Sequence, residues 1–256
     1  MKKFFLLSFL VFIITSIYLF KFNPLTSKTI SGAPPYDASD SDYVTESEEE
    51  RLLKDWKRPD VPTKVALQVG HWKNDEVPDE LHKLRGNTGA TGDGMSEWEV
   101  NYEIARLTKE FLEEKGITVE LLPATVPKSY WADVFVAIHA DGSEDTTKSG
   151  YKAATSRRNT TGTADELVEM IETSYENATG LEKDPLITRN MRGYYAFSYW
   201  RFEHAVHPMT ASAILETGFL TNPSDRDTIV DSPEISAQGL ADGILTYLTA
   251  KDLLKS

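Results

Sequence analysis

Apolar positions along this chain follow two rhythms in turn. Short apolar runs of strand length alternate with longer stretches in which apolar residues recur every three or four positions. Lys64–Val69 is β-branched and apolar and leads into Gly70-His71. A helix is predicted from Ser96, where Ser96-Glu97-Trp98-Glu99 has the form of a capping box, and Val100, Ile104, Leu107 and Phe111 share a face. Gly116 closes it. Further strands are predicted at 117–122, 134–138 (running into His139), 151–155, 195–199 and 211–215 (running into Glu216). A second helix is expected from Thr163 to Ala178, with a capping box spanning Thr163 to Glu166. The last helix starts at Ser232-Pro233-Glu234, with Pro at the first helical position, and turns Ile235, Leu240, Ile244 and Leu248 inward. The order implies an α/β domain with a largely parallel sheet.

The ends follow a different pattern. Met1-Lys2-Lys3 precedes an unbroken apolar stretch from Phe4 to Phe20, the layout of an export signal or membrane anchor at the short end of the roughly 17–25 residues that span a bilayer. No good small-x-small cleavage site follows, so residues 1–22 read as an uncleaved signal anchor. The expected location is the cell membrane, single-pass, with the remainder extracytoplasmic, or secreted if the segment is cleaved. Residues 23–60 are rich in Ser, Pro, Asp and Glu and read as a disordered acidic linker, with a short helix at 46–56. Residues 61–256 form the expected globular domain.

Composition narrows the chemistry. A formal net charge of −13 repels phosphate backbones, which argues against nucleic acid as a partner. The absence of cysteine excludes disulfides, thiolate metal sites and a cysteine nucleophile, so any metal rests on histidine and carboxylate. His71, His139 and Glu216 come at or near the ends of three separate strands, and in an open α/β sheet the ligand site lies beyond the carboxyl ends of the strands. Glu97 opens the helix after the first strand, and the Gly-rich stretch 86–94 before it can fold back to the same rim. Two imidazoles and a carboxylate form a common catalytic zinc set with one position left open. A further carboxylate, Glu216, is placed to move a proton. Singly, each residue has a plainer reading: a hydrogen-bonded structural histidine, or for Glu97 a charge at a helix N-terminus. Glu216 lies in Ile-Leu-Glu-Thr-Gly-Phe-Leu, where an unpaired carboxylate is costly to bury. His82, His204 and His207 compete as ligands or cleft residues. The sequons at Asn159 and Asn177 read as chance matches.

Four segments together resemble the zinc-dependent N-acetylmuramoyl-L-alanine amidases of the amidase-3 type: Val69-Gly70-His71, Gly94-Met95-Ser96-Glu97-Trp98-Glu99-Val100-Asn101, Phe135-Val136-Ala137-Ile138-His139-Ala140-Asp141, and Leu215-Glu216-Thr217-Gly218-Phe219-Leu220-Thr221-Asn222 with Asp225 beyond. The resemblance runs from about Lys64 to Leu248 and implies an α/β fold with a twisted, mostly parallel sheet flanked by helices. It implies Zn2+ on His71, Glu97 and His139, Glu216 as the catalytic carboxylate, and hydrolysis of the amide between muramic acid's lactyl group and L-alanine in peptidoglycan or its fragments. A metallopeptidase acting on stem peptides and a non-catalytic wall-binding module are the alternatives. The chain departs from the family at two places. Leu122 to Asp133 carries Pro123 and Pro127 where the family has a helix, although ten extended residues, reaching roughly 33 Å, still cross to a neighbouring strand position. His71 is followed by Trp72-Lys73 rather than two glycines.

Overall fold

The computed structural model describes residues 29–30, 53–159 and 161–254. The Phe4–Phe20 segment and most of the acidic linker lie outside them. Among the described residues no helix is long and apolar enough to cross a membrane.

The main elements are β1 (Lys64–Val69), α1 (Glu97–Glu113), β2 (Thr118–Leu122), β3 (Val134–Ser143), β4 (Lys152–Ala154), α2 (Thr163–Thr179), β5 (Ala211–Phe219), α3 (Pro223–Ile229) and α4 (Pro233–Ala250). They build a six-stranded sheet in which β2-β1-β3-β5-β4 follow one another and Thr29–Ile30 pairs antiparallel with the far end of β3. Pairing is parallel from β2 through β5, and β4 closes the edge antiparallel. The mostly parallel α/β sheet with flanking helices expected from the sequence is what forms.

The two faces of the sheet are covered differently. One carries α1, α2 and α4, whose Ile104, Ile171, Leu240 and Ile244 pack on Val65, Leu67, Val136, Ile138 and Leu215. α4 lies close on α2 because Gly243 has no side chain; a Cβ there would stand 2.6 Å from the Ile171 Cα. On the other face, among the described residues, no long helix covers the sheet. Leu122 connects to Val134 through the proline-containing stretch without helix, as its prolines predict. The space is filled by the 3-10 turns Asn74–Glu76 and Asp79–Leu84 and by Met191, Tyr194, Tyr195, Phe197 and Val206, which pack on Ala66, Phe135, Ala137 and Ile214.

Several local expectations are corrected. The strand expected at 195–199 is a 3-10 helix, Tyr195–Phe197: its run of apolar rings looks strand-like in sequence, but the rings are buried one after another beneath the sheet rather than paired along an edge. α2 has no Thr163 capping box. Gly162 is the N-cap at φ 72°, Thr163 is already helical, and its hydroxyl shares a 2.7 Å hydrogen bond with that of Thr161. Ile235, in the first turn of α4, is 39% exposed rather than turned inward. The capping box of α1 does form, with the Ser96 N–H donating to Glu99 Oε2 at 2.9 Å. Trp56 and Arg58, from the stretch read as linker, lie on the domain. Trp56 stacks on His207, and Arg58 pairs with Asp133 at 2.6 Å.

Candidate metal centre

β3 and β5 run further than their sequences indicated, so His139 and Glu216 sit within strands rather than at their ends. They are direct cross-strand partners, and Glu216 faces Lys152 of β4 on its other side. Cross-strand partners share a face, so His139, Glu216 and Lys152 form a row across three strands. Beyond His139 the β3–β5 register shifts, a bulge that ends the regular ladder beside the site. β1 stops one position short of this row. Gly70 follows it, and its N–H donates to the Ile138 carbonyl at 2.9 Å. His71 then turns out of the sheet at φ 63°, a left-handed conformation that a side chain rarely adopts and that marks functional sites.

Glu97 is delivered by α1. The glycine-rich stretch folds into a two-strand hairpin, Thr91–Gly92 against Met95–Ser96, which brings the start of the helix over the end of β3. Glu97 is fully buried there. Its Oε2 accepts the Ala90 N–H at 2.7 Å, and its Oε1 accepts the Ala140 N–H at 3.2 Å and Asn101 Nδ2 at 3.3 Å. His139 Nδ1 is 2.9 Å and His71 Nε2 3.4 Å from the same Oε1. One ligand-capable atom from each of His71, Glu97 and His139 lies within 4.8 Å of the others, inside what one metal ion with bonds of roughly 2 Å can bridge. The donor set fits a metal. His71 Nδ1 is 2.7 Å from the Asn87 carbonyl, which only accepts, so Nδ1 carries the proton and the Nε2 lone pair is directed at the cluster. Burial alone would raise the Glu97 carboxyl, but the two histidines and the surrounding N–H groups outweigh it and lower it to about 2. Burial holds the His139 imidazole below its usual value, which favours the neutral ligand form.

Glu216 is fully buried, and neither of its carboxylate oxygens has a hydrogen-bond partner. Burial raises it well above the usual carboxylate range, and the charges of Asp141 and Glu97 push the same way. Beside it Lys152, also buried, stands 2.6 Å from Asp141 Oδ2 and 2.8 Å from Asp184 Oδ2. Those two carboxylates keep the lysine charged against the pull of burial, which itself holds Asp141 up at about 6. Sequence reading passed over Lys152 and Asp184. The available signal was a lysine in the otherwise apolar strand Tyr151-Lys152-Ala153-Ala154.

The competing histidines go elsewhere. His82 is exposed and bonded to the Asp79 carbonyl, His204 pairs with Glu80 at 2.5 Å, and His207 stacks under Trp56. Trp72 packs edge-on to Tyr102 of α1, 5.2 Å between ring centroids.

A mostly parallel α/β sheet thus carries a His-Glu-His cluster able to hold a metal ion, with an unpartnered carboxylate one strand away. The chain belongs to the amidase-3 family, N-acetylmuramoyl-L-alanine amidase, whose sequence profile matches residues 65–246. It is 29% identical over 214 residues to the N-acetylmuramoyl-L-alanine amidase LytC of Bacillus subtilis, covering 74% of this chain but only 39% of that longer protein. Its fold is similar to the N-acetylmuramyl-L-alanine amidase Ami1 of Mycobacterium smegmatis, with a TM-score of 0.54 at 18% identity, covering 73% of this chain and 97% of that one. It is also similar to the N-acetylmuramoyl-L-alanine amidase of Clostridium difficile 630, with a TM-score of 0.53 at 17% identity over 74% and 98%.

Proposed function

We propose that this protein hydrolyses the amide between N-acetylmuramic acid and L-alanine in peptidoglycan or its fragments, with Zn2+ held by His71, Glu97 and His139. The observation that carries the reading is Glu216: a carboxylate wholly removed from water, bonded to nothing, one strand from a three-donor cluster. A protein retains so costly a group where it has work to do. Bound zinc would polarise the amide carbonyl and make water a better nucleophile at neutral pH. Glu216 takes a proton from the attacking water and passes it to the leaving amide nitrogen. The positive charge of bound zinc would favour the ionised form of Glu216 that accepts this proton, and burial of the carboxyl favours keeping it until the nitrogen takes it. His71 and His139 stay neutral as ligands, and Glu97, lowered and surrounded by N–H donors, stays ionised. Residues 1–22 anchor the chain beside the cell wall with the catalytic domain outside the membrane.

The test uses purified full-length protein on intact peptidoglycan. Wild type is expected to release new L-alanine amino termini. Glu216→Gln should bind zinc as wild type does and lose roughly 100- to 10,000-fold in turnover. A Glu216→Gln variant that kept full activity would overturn the mechanism. New amines from other residues of the stem would identify a metallopeptidase instead.

A further inference from the structure

His71 and His139 reach the cluster through different nitrogens, and the structure settles the proton on the first of them through a backbone carbonyl. For His139 the corresponding partner is a side chain. With Nδ1 directed at Glu97, Nε2 points back under the sheet, 3.4 Å from the hydroxyl of Tyr194, whose ring stands edge-on to the imidazole at 82°. We propose that Tyr194, oriented by Gln68, is a positioning residue for the metal centre: it accepts the Nε2–H of His139 and so leaves the Nδ1 lone pair for the metal. This inference rests on the metal reading above.

The direction of each proton follows from groups that have no choice. The Ala124 carbonyl only accepts, and Gln68 contacts it at 2.9 Å, so the Gln68 NH2 group lies on that side. The same NH2 donates to the Tyr195 hydroxyl at 2.7 Å. Gln68 Oε1 therefore faces Tyr194, which donates its only proton to it at 2.8 Å. Tyr195 is occupied in turn, accepting from the Val126 N–H at 3.2 Å and donating to the Ala124 carbonyl. With its proton committed to Gln68, the Tyr194 hydroxyl can only accept on the side of His139. The neutral imidazole carries one proton, and a metal on Nδ1 requires that proton on Nε2. Nε2 is buried, so without Tyr194 its N–H would have no acceptor, a penalty borne only by the metal-ligated form. Without metal, Glu97 Oε1 at 2.9 Å competes for the same proton by accepting it from Nδ1. Tyr194 and Glu97 thus pull the proton to opposite nitrogens, and Tyr194 favours the ligand form.

The arrangement is built by the face of the sheet that lacks a long helix. Gln68 is on β1, Ala124 and Val126 are in the β2–β3 connection, and Tyr194 and Tyr195 come from the irregular stretch before β5.

The experiment measures zinc affinity of the full chain by competition with a chromophoric chelator, together with the 15N-histidine spectrum of the zinc-loaded protein. Tyr194→Phe keeps the ring and removes the acceptor. It should bind zinc roughly 10- to 100-fold more weakly than wild type; the loss of the donor to Gln68 Oε1 lowers the stability of the metal-free and metal-loaded protein alike, so the role is read from zinc affinity of the folded chain. Gln68→Leu leaves the hydroxyl but frees its proton to turn toward Nε2, so it should weaken zinc binding as well. The double variant should be no weaker than the worse single one, because both act through one hydrogen bond. Wild type loaded with zinc should show a His139 Nε2–H that exchanges slowly, and exchange should quicken in Tyr194→Phe. Equal zinc affinity in wild type and Tyr194→Phe, or a His139 proton on Nδ1 in the zinc-loaded protein, would overturn the assignment while leaving the metal reading intact. Wild type that bound no zinc would overturn the metal reading and this one with it.

Discussion

Glu216 shows at the level of one side chain how a functional demand opposes stability. Its carboxyl is buried without a partner and holds its proton to well above the usual range. The unfolded chain releases that proton at the ordinary glutamate value, near 4.3. Between the two values the folded state binds the extra proton, so stability falls as pH rises. In metal-free protein Glu216→Gln should therefore be more stable than wild type at neutral pH, and its advantage should vanish as pH falls below about 4. Denaturant melts at several pH values check this, and a constant difference across pH would refute it. Gly70 is as constrained for a different reason. A Cβ there would stand 2.5 Å from the Cε1 and Nδ1 of His139, closer than atoms can approach without moving the ring. Gly70→Ala should displace the ring and weaken zinc binding at least as much as the loss of one hydrogen bond to it, roughly tenfold or more. Its readout is the same chelator competition.

Among the elements, the last of the four motifs divides between chemistry and support. In Leu-Glu-Thr-Gly-Phe-Leu-Thr-Asn, Glu216 faces the site, but the Thr217 hydroxyl donates to the His139 carbonyl at 3.0 Å and Asn222 caps α3. Asp225 accepts the N–H groups of Phe219 at 2.7 Å and Gly150 at 2.9 Å, tying β5 to the start of β4. The motif was legible in sequence because one short segment does all these jobs. Tyr194 was not. It acts on His139 and Gln68, 55 and 126 residues away, from just before a run of rings that looks strand-like in sequence and folds as a 3-10 helix. This irregular layer is also pinned by Glu80, which accepts the N–H groups of Glu203 and His204 and pairs with the His204 ring. Burial would raise Glu80, but these bonds outweigh it and lower it. A lowered carboxyl stabilises above its unfolded value, and the contribution is lost as pH falls through the folded one. Protection of the Glu203 and His204 amide hydrogens, their exchange relative to an unstructured chain at the same pH, should therefore fall at pH 3 relative to pH 6. In Glu80→Gln protection should be low at both; high protection in that variant would refute the role.

Across the whole molecule, the cluster joins parts of the chain that lie far apart in sequence: the turn after β1, the start of α1 and the middle of β3. A ligand that binds only the folded state stabilises it by mass action, about 2.7 kcal/mol at a free concentration one hundred times its dissociation constant. Chelation should lower the melting temperature, zinc should restore it, and His139→Ala should respond to neither. A chelator that left wild type unchanged would count against the metal. The alternation of periods along the chain was enough to specify a parallel α/β domain, and four short motifs were enough to nominate His71, Glu97, His139 and Glu216. Those features are local: a strand, a cap or a residue beside a glycine is decided within a few positions of itself. Which of five histidines meet, that Lys152 lies beside Glu216, and that aromatic side chains rather than a helix cover one face depended on strand register and loop paths. Register is fixed by the packing of both faces at once, and a contact across a hundred residues leaves no period in the sequence to read.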